Sequence, residues 1–267
     1  MIVFGVCAGG GNRFDSIAGP ALSKHAPDVQ VIVLRDQLSI SSAYNKIIDT
    51  AIRLADLEAV VLLHDDVEIV DPEWRSKLLG AFANEGTAVV GVIGASGKGG
   101  MAWFTRAQKR GAVREPGRDY DYGDRSATVD VIDGLFIALS PNAARTLRFD
   151  ERSYPPFHGY DADICSQALA SGQVVALAPI DLVHHTRGAF GTTRSYADWI
   201  RASLAWRIAW EPSSSAKRML LRLRKFMVPL EIRIRPSTRA RRRDLVARRA
   251  AATPATASGA TPLAGNS

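Results

Sequence analysis

Apolar runs alternate with amphipathic segments through the first half of the chain. Four runs predict buried strands at residues 2–8, 29–35, 59–66 and 88–95. Between the second and third runs, apolar residues recur at helical spacing from Ile40 to Ala51, and Ser39 is placed to cap that helix. Alternating strands and helices predict an α/β fold with a mostly parallel sheet flanked by helices.

The pattern is less regular in the second half. Residues 96–128 are rich in Gly, Arg and Asp and predict a long functional or mobile loop. Residues 129–140 return to a strand pattern, and a short helix follows at 141–148. Residues 149–172 should run through a proline-stiffened loop into a helix that stops at Gly172, and one or two short strands should follow.

The character of the chain changes after Gly191. Trp199, Trp206 and Trp210 recur at helical spacing, and an amphipathic, basic helix follows them. We therefore predict a main domain at 1–191, an amphipathic helical extension at 192–235 and a disordered tail at 236–267. The tryptophan face favours packing against the main domain, with membrane contact as the alternative.

The net charge of +7 is concentrated at one end of the chain. After Pro212 there are 13 Lys and Arg and only two acidic residues, which leaves residues 1–212 with a net charge of −4. Only the C-terminal part therefore predicts an anionic partner, such as an anionic membrane surface. A nucleic-acid partner is disfavoured because the basic segment lacks interleaved aromatic residues and a reading motif.

Cysteine count and hydropathy bear on the compartment. Cys7 and Cys165 form neither a disulfide framework nor a zinc pattern. The N-terminal residues lack a secretory signal pattern, and no apolar stretch is long enough to cross a bilayer. We expect a cytoplasmic protein, with peripheral attachment to the inner face of the membrane left open.

Three clusters of polar residues lie at comparable places in the predicted fold. Two of them follow strands, and the third lies near the start of a helix. They are His64-Asp65-Asp66, the pair Asp161 and Asp163, and His184-His185. Strand ends that are distant in sequence meet at one crevice in an open α/β sheet. Buried carboxylates need a partner, and a divalent cation bound by oxygen and imidazole, Mn²⁺ or less well Mg²⁺, would supply it. A solvated turn is the alternative for the first cluster taken alone.

Four motifs, taken in order, resemble one known family. They are "LLHDDVEIVDPEW", "DGLFIALS", the segment from "FDE" to "GYDADICSQALASG", and "DLVHHTRG". Together they resemble the family 2 glycosyltransferases of GT-A fold, within a StrF-like subgroup, over residues 2–188. The resemblance implies transfer of a sugar, with inversion, from a nucleoside diphosphate donor to a hydroxyl acceptor that is a saccharide or is linked to a lipid.

The resemblance also implies roles for individual residues. Asp66 becomes the principal metal ligand, and His64 occupies the first Asp of the Asp-x-Asp motif. A histidine of the last motif supplies a further ligand; the spacing favours His185 over His184, and the two should face opposite ways on a strand. Asp161 becomes the general base that deprotonates the acceptor.

Two residues depart from the family pattern, because His64 replaces an Asp and Tyr160 replaces a Glu beside the base. These departures keep open a non-enzymatic alternative, a degenerate domain that binds a nucleotide sugar or a partner without turnover.

Three further aspartates are candidates for binding the donor. Asp36 follows the second strand and is placed to accept a hydrogen bond from the nucleotide base, with a turn aspartate as the equal alternative. Asp65 lies beside the predicted metal ligand. Asp133 precedes a glycine and is placed to contact the sugar, with a loop-capping aspartate as the equal alternative. The glycines of residues 8–12 allow close backbone approach to the nucleotide, but their spacing matches neither a dinucleotide fingerprint nor a phosphate loop.

Overall fold

A six-stranded sheet forms the centre of the protein, whose computed structural model describes residues 1–186 and 193–234. Its strand order is β11-β5-β10-β3-β1-β2, and all neighbours are parallel except for the pairs that β10 makes. The six strands are β1 (Ile2–Ala8), β2 (Gln30–Arg35), β3 (Ala59–His64), β5 (Thr87–Gly91), β10 (Phe136–Leu139) and β11 (Val174–Leu177). The predicted mostly parallel sheet is confirmed.

Five helices accompany this sheet. They are α1 (Gly19–His25), α2 (Ile40–Ala51), α3 (Trp74–Phe82), α4 (Pro141–Thr146) and α5 (Tyr160–Ala170). In α2 the apolar positions are buried, and the Ser39 side chain accepts a hydrogen bond from the backbone of Ser42, as the capping pattern predicts. Gly172, at φ 71°, follows α5 and allows the turn into β11.

A second sheet also has six strands, and it contributes β12 and the turn before β4 to the same region as the end of β3. Its order is β4-β12-β7-β6-β9, and β8 pairs with β7. These strands are β4 (Val67–Ile69), β6 (Ile93–Ser96), β7 (Gln108–Glu115), β8 (Arg118–Asp121), β9 (Val131–Ile132) and β12 (Leu182–His184). The prediction of one strand at 88–95 is therefore wrong, because the chain passes from the central sheet to the second sheet at Val92.

Residues 96–128 are not the long loop that composition predicts. They contain the β7–β8 hairpin, in which Val113 and Tyr120 are buried opposite each other. The hairpin has few apolar side chains because most of its residues remain partly or fully exposed, so its pattern reads as polar. Gly111, at φ 86°, lies so close to Val92 that a Cβ atom would be 2.2 Å from the Val92 carbonyl oxygen.

Two long helices follow the second sheet, α6 (Thr193–Trp210) and α7 (Ser215–Ile234). Trp206 is only 8% exposed, and its indole N–H donates to Ser166 of α5 over 2.9 Å. The indole N–H of Trp210 donates to Asp163 of α5 over 2.9 Å. The predicted packing of the tryptophan face against the main domain is confirmed.

Within the described ranges, none of the helices has the length and apolar character that crossing a bilayer requires. The predicted disordered tail at 236–267 and the predicted boundary at residue 191 lie outside the described residues.

Candidate active site

A cavity of about 440 Å³ opens where β1 and β3 end. It is bounded by the turn after β3, the segment between β9 and β10, the start of α5 and the end of β12. The sequence-predicted residues His64, Asp65, Asp66, Asp133, Asp161 and His184 all line it. The topology therefore brings together residues that are up to 120 positions apart in the chain.

Three of these residues form a cluster suited to a cation. His64 ends β3, Asp66 lies in the turn before β4, and His184 ends β12. One ligand atom of each lies within 4.8 Å of the others. Two imidazoles and one carboxylate at this separation fit a divalent transition metal, and the cavity leaves room for further ligands.

His184, not His185, belongs to this cluster. Its Nε2 lies 3.4 Å from Oδ1 of Asp66, whereas Nε2 of His185 lies 3.0 Å from Glu68 Oε2. The spacing favoured His185, but the structure places His184 near His64 and Asp66, because successive side chains at the end of β12 alternate and its register with β4 turns His184 inward and His185 outward.

Charges within the cluster compensate one another. Burial by itself raises the pKa of Asp66, but the hydrogen bond and charge of His184 hold it well below its usual range. Burial by itself lowers the pKa of His184, but the carboxylates of Asp66 and Glu115, 3.4 Å and 3.5 Å from its ring nitrogens, raise it to about 9. Asp66 and His184 therefore stabilise each other's charged form.

Arg13 closes the cluster on the side of β1. Its Nη1 donates to Asp66 Oδ2 over 2.9 Å, and its Nε lies 3.5 Å from Asp65 Oδ1. Asp65 is buried and accepts a hydrogen bond of 2.8 Å from the backbone of Gly9. The glycine segment after β1 is thus held against the turn after β3.

Asp161 lies in the first turn of α5, where the helix dipole favours a negative charge. The backbone N–H of Ala162 donates to its Oδ1 over 2.9 Å. Burial, followed by the nearby charge of Asp133, nevertheless raises the pKa of Asp161 to about 7. A carboxylate with a pKa near neutrality is suited to accept a proton.

The other two donor candidates occupy different places. Asp133 lines the cavity and accepts a hydrogen bond of 2.6 Å from the buried indole of Trp103. Asp36 is exposed at φ 53° after β2 and lies outside the cavity lining, near Gly10. Asp36 is therefore separate from the cation cluster.

The two residues that depart from the family pattern contact each other. Nε2 of His64 and the hydroxyl oxygen of Tyr160 share a hydrogen bond of 2.6 Å. Tyr160 is 6% exposed, and its ring lies at 79° to that of Tyr44, with centroids 5.9 Å apart. The sequence carried no signal that these two substitutions meet.

Sequence reasoning missed two residues of the site. Arg13 directly follows residues 8–12, the glycine segment predicted to approach the nucleotide. This neighbourhood was the available signal in the sequence. Glu115 ends β7, and its Oε1 lies 3.5 Å from Nδ1 of His184. Glu115 was not identifiable because its whole hairpin was interpreted as a loop.

Comparison with known proteins places the chain among sugar-transferring enzymes. Residues 23–187 match the model of the "Glycosyltransferase like family". The chain is 29% identical over 233 residues to the streptomycin biosynthesis protein StrF of Streptomyces griseus. The aligned region covers 86% of this chain and 82% of that protein.

A solved structure agrees on the fold, and a second one shows a weaker similarity. The structure of GalNAc-T7 with UDP, GalNAc and Mn²⁺ matches with a TM-score of 0.51 and 10% identity, over 87% of this chain and 57% of that one. The mannosyltransferase PcManGT of Pyrobaculum calidifontis, in complex with GDP-Man and Mn²⁺, matches with a TM-score of 0.47 and 12% identity, over 94% of this chain and 73% of that one.

Proposed function

Because the chain belongs to the glycosyltransferase-like family and is a glycosyltransferase, we propose that it moves a sugar from a nucleoside diphosphate donor to a hydroxyl acceptor with the help of a divalent cation. The observation that carries this proposal is the cluster of His64, Asp66 and His184 in the same cavity as Asp161. A cation site and a carboxylate of raised pKa together provide the two functions that the reaction needs.

The first function concerns the leaving group. His64, Asp66 and His184 would hold Mn²⁺ or Mg²⁺, which would supply positive charge to offset the charge that develops on the departing diphosphate. The two imidazole ligands favour Mn²⁺ over Mg²⁺, because Mg²⁺ prefers oxygen ligands. Asp65, Asp133 and Asp36 are assigned to the donor: Asp65 by orienting the segment around Gly9, Asp133 by contact with the sugar, and Asp36 by contact with the base.

The second function concerns the acceptor. Asp161 takes the proton of the acceptor hydroxyl while the hydroxyl oxygen forms a bond to the anomeric carbon. The bond from that carbon to the diphosphate breaks at the same time, and the configuration at the anomeric carbon is inverted. The raised pKa of Asp161 supports this assignment, since a base with a pKa of about 7 can take up a proton near neutral pH.

A partner surface is proposed for α7. Leu221 and Val228 face α6 and are buried. The opposite side of α7 carries large apolar side chains that are between 49% and 87% exposed: Met219, Leu220, Leu223, Phe226 and Met227. Between Glu211 and Glu231 the chain has five Lys and Arg and no acidic residue, so we propose that this face docks on an anionic membrane, where a lipid-linked acceptor would be found. The same charge opposes pairing of two copies through this face.

A thermal-shift screen tests the donor half of the proposal. Nucleoside diphosphates should raise the melting temperature of the full chain in the presence of Mn²⁺ and not in the presence of a chelator, because a ligand that binds only the folded state stabilises it. Slow hydrolysis of a bound nucleotide sugar should accompany binding. Binding without any hydrolysis or transfer would favour the degenerate, non-enzymatic alternative.

A further inference from the structure

The phenol of Tyr160 lies where it can control the orientation of His64. Its hydroxyl oxygen is 2.6 Å from Nε2 of His64, and the ring of His64 neighbours both Tyr160 and His184, with centroid distances of 6.4 Å and 5.9 Å. The imidazole therefore contacts the phenol and also belongs to the cation cluster. A hydrogen bond at Nε2 leaves Nδ1 as the ring nitrogen that can bind a cation.

The surroundings of Tyr160 hold its hydroxyl in one place. The side chain is packed edge-on against Tyr44 and is 6.2 Å from Phe149, and it is almost fully buried. Gly134 leaves the space that the hydroxyl occupies, because a Cβ atom at position 134 would lie 2.3 Å from it. A buried phenol held in this way is a rigid partner for an imidazole.

We propose that Tyr160 is a positioning residue for the cation site: it accepts the Nε2–H of His64 and so presents Nδ1 to the cation. The inference rests on the proposed function, since it concerns the same cation. Histidines that bind metals commonly donate their other N–H to a neighbouring oxygen, and loss of that oxygen typically lowers metal affinity 10- to 100-fold. The two departures from the family pattern, His64 and Tyr160, then form one unit: an imidazole and the group that orients it.

Mn²⁺ binding by the full chain, followed through the electron paramagnetic resonance signal of free Mn²⁺, tests the proposal without any turnover. Tyr160→Phe should weaken binding by about 10- to 100-fold. Tyr154→Phe is the matched control, because Tyr154 is also a buried tyrosine but bonds Asp163 instead, and this variant should bind Mn²⁺ as the unaltered protein does. Equal Mn²⁺ affinity in Tyr160→Phe and the unaltered protein would overturn the proposal.

A double-mutant cycle separates orientation of His64 from a general loss of structure. In a His64→Asp background the carboxylate has no ring to orient, so adding Tyr160→Phe should change Mn²⁺ affinity by less than about threefold. An undiminished loss in that background would contradict the proposal. Absence of Mn²⁺ binding by the unaltered chain would instead overturn the cation site itself.

The unaltered protein offers a second measurement in case Tyr160→Phe fails to fold. Long-range ¹H–¹⁵N spectra report which imidazole nitrogen carries the proton. His64 should be the Nε2–H tautomer. A proton on Nδ1 would mean that the phenol donates to His64, and the proposal would be wrong.

Discussion

Arg13 bridges the two carboxylates that follow β3. Its Nη1 lies 2.9 Å from Oδ2 of Asp66, and its Nε lies 3.5 Å from Oδ1 of Asp65. The guanidinium is about half exposed, so it can leave Asp66 without crossing the protein interior. A cation bound as proposed would therefore compete with Arg13 for Asp66, and a displaced Arg13 would be placed to bind an anion in the same cavity.

Arg13→Ala should change cation and donor affinity in opposite directions. Mn²⁺ should bind more tightly, by up to about 1 kcal/mol, because the competing exposed charge is gone. Nucleoside diphosphate should bind more weakly, by about 1.5–3 kcal/mol, because a charged hydrogen-bond donor is lost. Titration calorimetry measures both. Arg75→Ala is the control, since Arg75 pairs with Asp28 and Glu58 on the surface, and it should change neither.

Asp161→Asn should separate catalysis from binding. The amide keeps the size of the side chain but cannot take a proton, so the rate of transfer should fall by about 10²–10⁴. Donor affinity should stay within a few fold, whereas Asp66→Ala should abolish the Mn²⁺-dependent part of donor binding. Rates and affinities measured on the same preparations give the comparison. If Asp161→Asn loses donor binding as completely as Asp66→Ala, Asp161 belongs to the donor site and is not the base.

The rate of transfer should rise with pH and level off above about pH 7. Asp161 acts as a base only when it is ionised, and burial together with the charge of Asp133 raises its pKa to about 7. The midpoint of the rising part of the pH–rate profile should therefore lie well above the usual pKa range of an aspartate. Asp133→Asn removes one cause of the shift and should move the midpoint to lower pH. A pH–rate profile with no limb between pH 5 and 8 would argue against Asp161 as the base.

The choice of metal should depend on His64. Replacing the imidazole with a carboxylate in His64→Asp makes the ligand set harder, so the preference for Mn²⁺ over Mg²⁺ should fall, by about tenfold or about 1.4 kcal/mol. Competition between the two ions, read from the Mn²⁺ resonance signal, measures the ratio. His185→Ala should leave the ratio unchanged, because His185 pairs with Glu68 outside the cluster. A loss of Mn²⁺ binding in His185→Ala would place the cation differently.

Membrane docking should depend on the outward face of α7. Phe226 is 87% exposed, and Phe226→Glu should reduce flotation with anionic vesicles by placing a charge at the membrane surface. Leu38→Glu is a matched control, because Leu38 is 90% exposed but belongs to the segment between β2 and α2. Equal flotation with neutral and anionic vesicles would contradict a role for the basic residues. Concentration-dependent dimerisation that Phe226→Glu abolishes would identify a second copy as the partner instead.

Local pattern was sufficient to predict the elements that build the crevice. The apolar run of β3 and the polar residues after it are adjacent in sequence, so the strand and its functional end are recognised together. The helical spacing in α2 and its cap at Ser39 are equally local. These features depend on backbone periodicity and on the short reach of a capping side chain.

What could not be predicted depends on pairing between distant segments. Whether His184 or His185 faces the cavity is decided by the pairing of β12 with β4, more than 110 residues earlier in the chain. The β7–β8 hairpin, which supplies Glu115, has too few buried apolar residues to give a strand pattern. The contact of His64 with Tyr160 joins residues 96 positions apart, and neither residue type indicates the other.

The two indole hydrogen bonds between α6 and α5 have a practical consequence for anyone who shortens this protein. Trp206 and Trp210 donate to Ser166 and Asp163, which lie on the same helix as Asp161. A chain cut before α6 would lose both donors and uncover the apolar surface that Trp206 now covers. Such a fragment would be a poor choice for crystallisation, and a cut between Trp210 and α7 would preserve the support of α5.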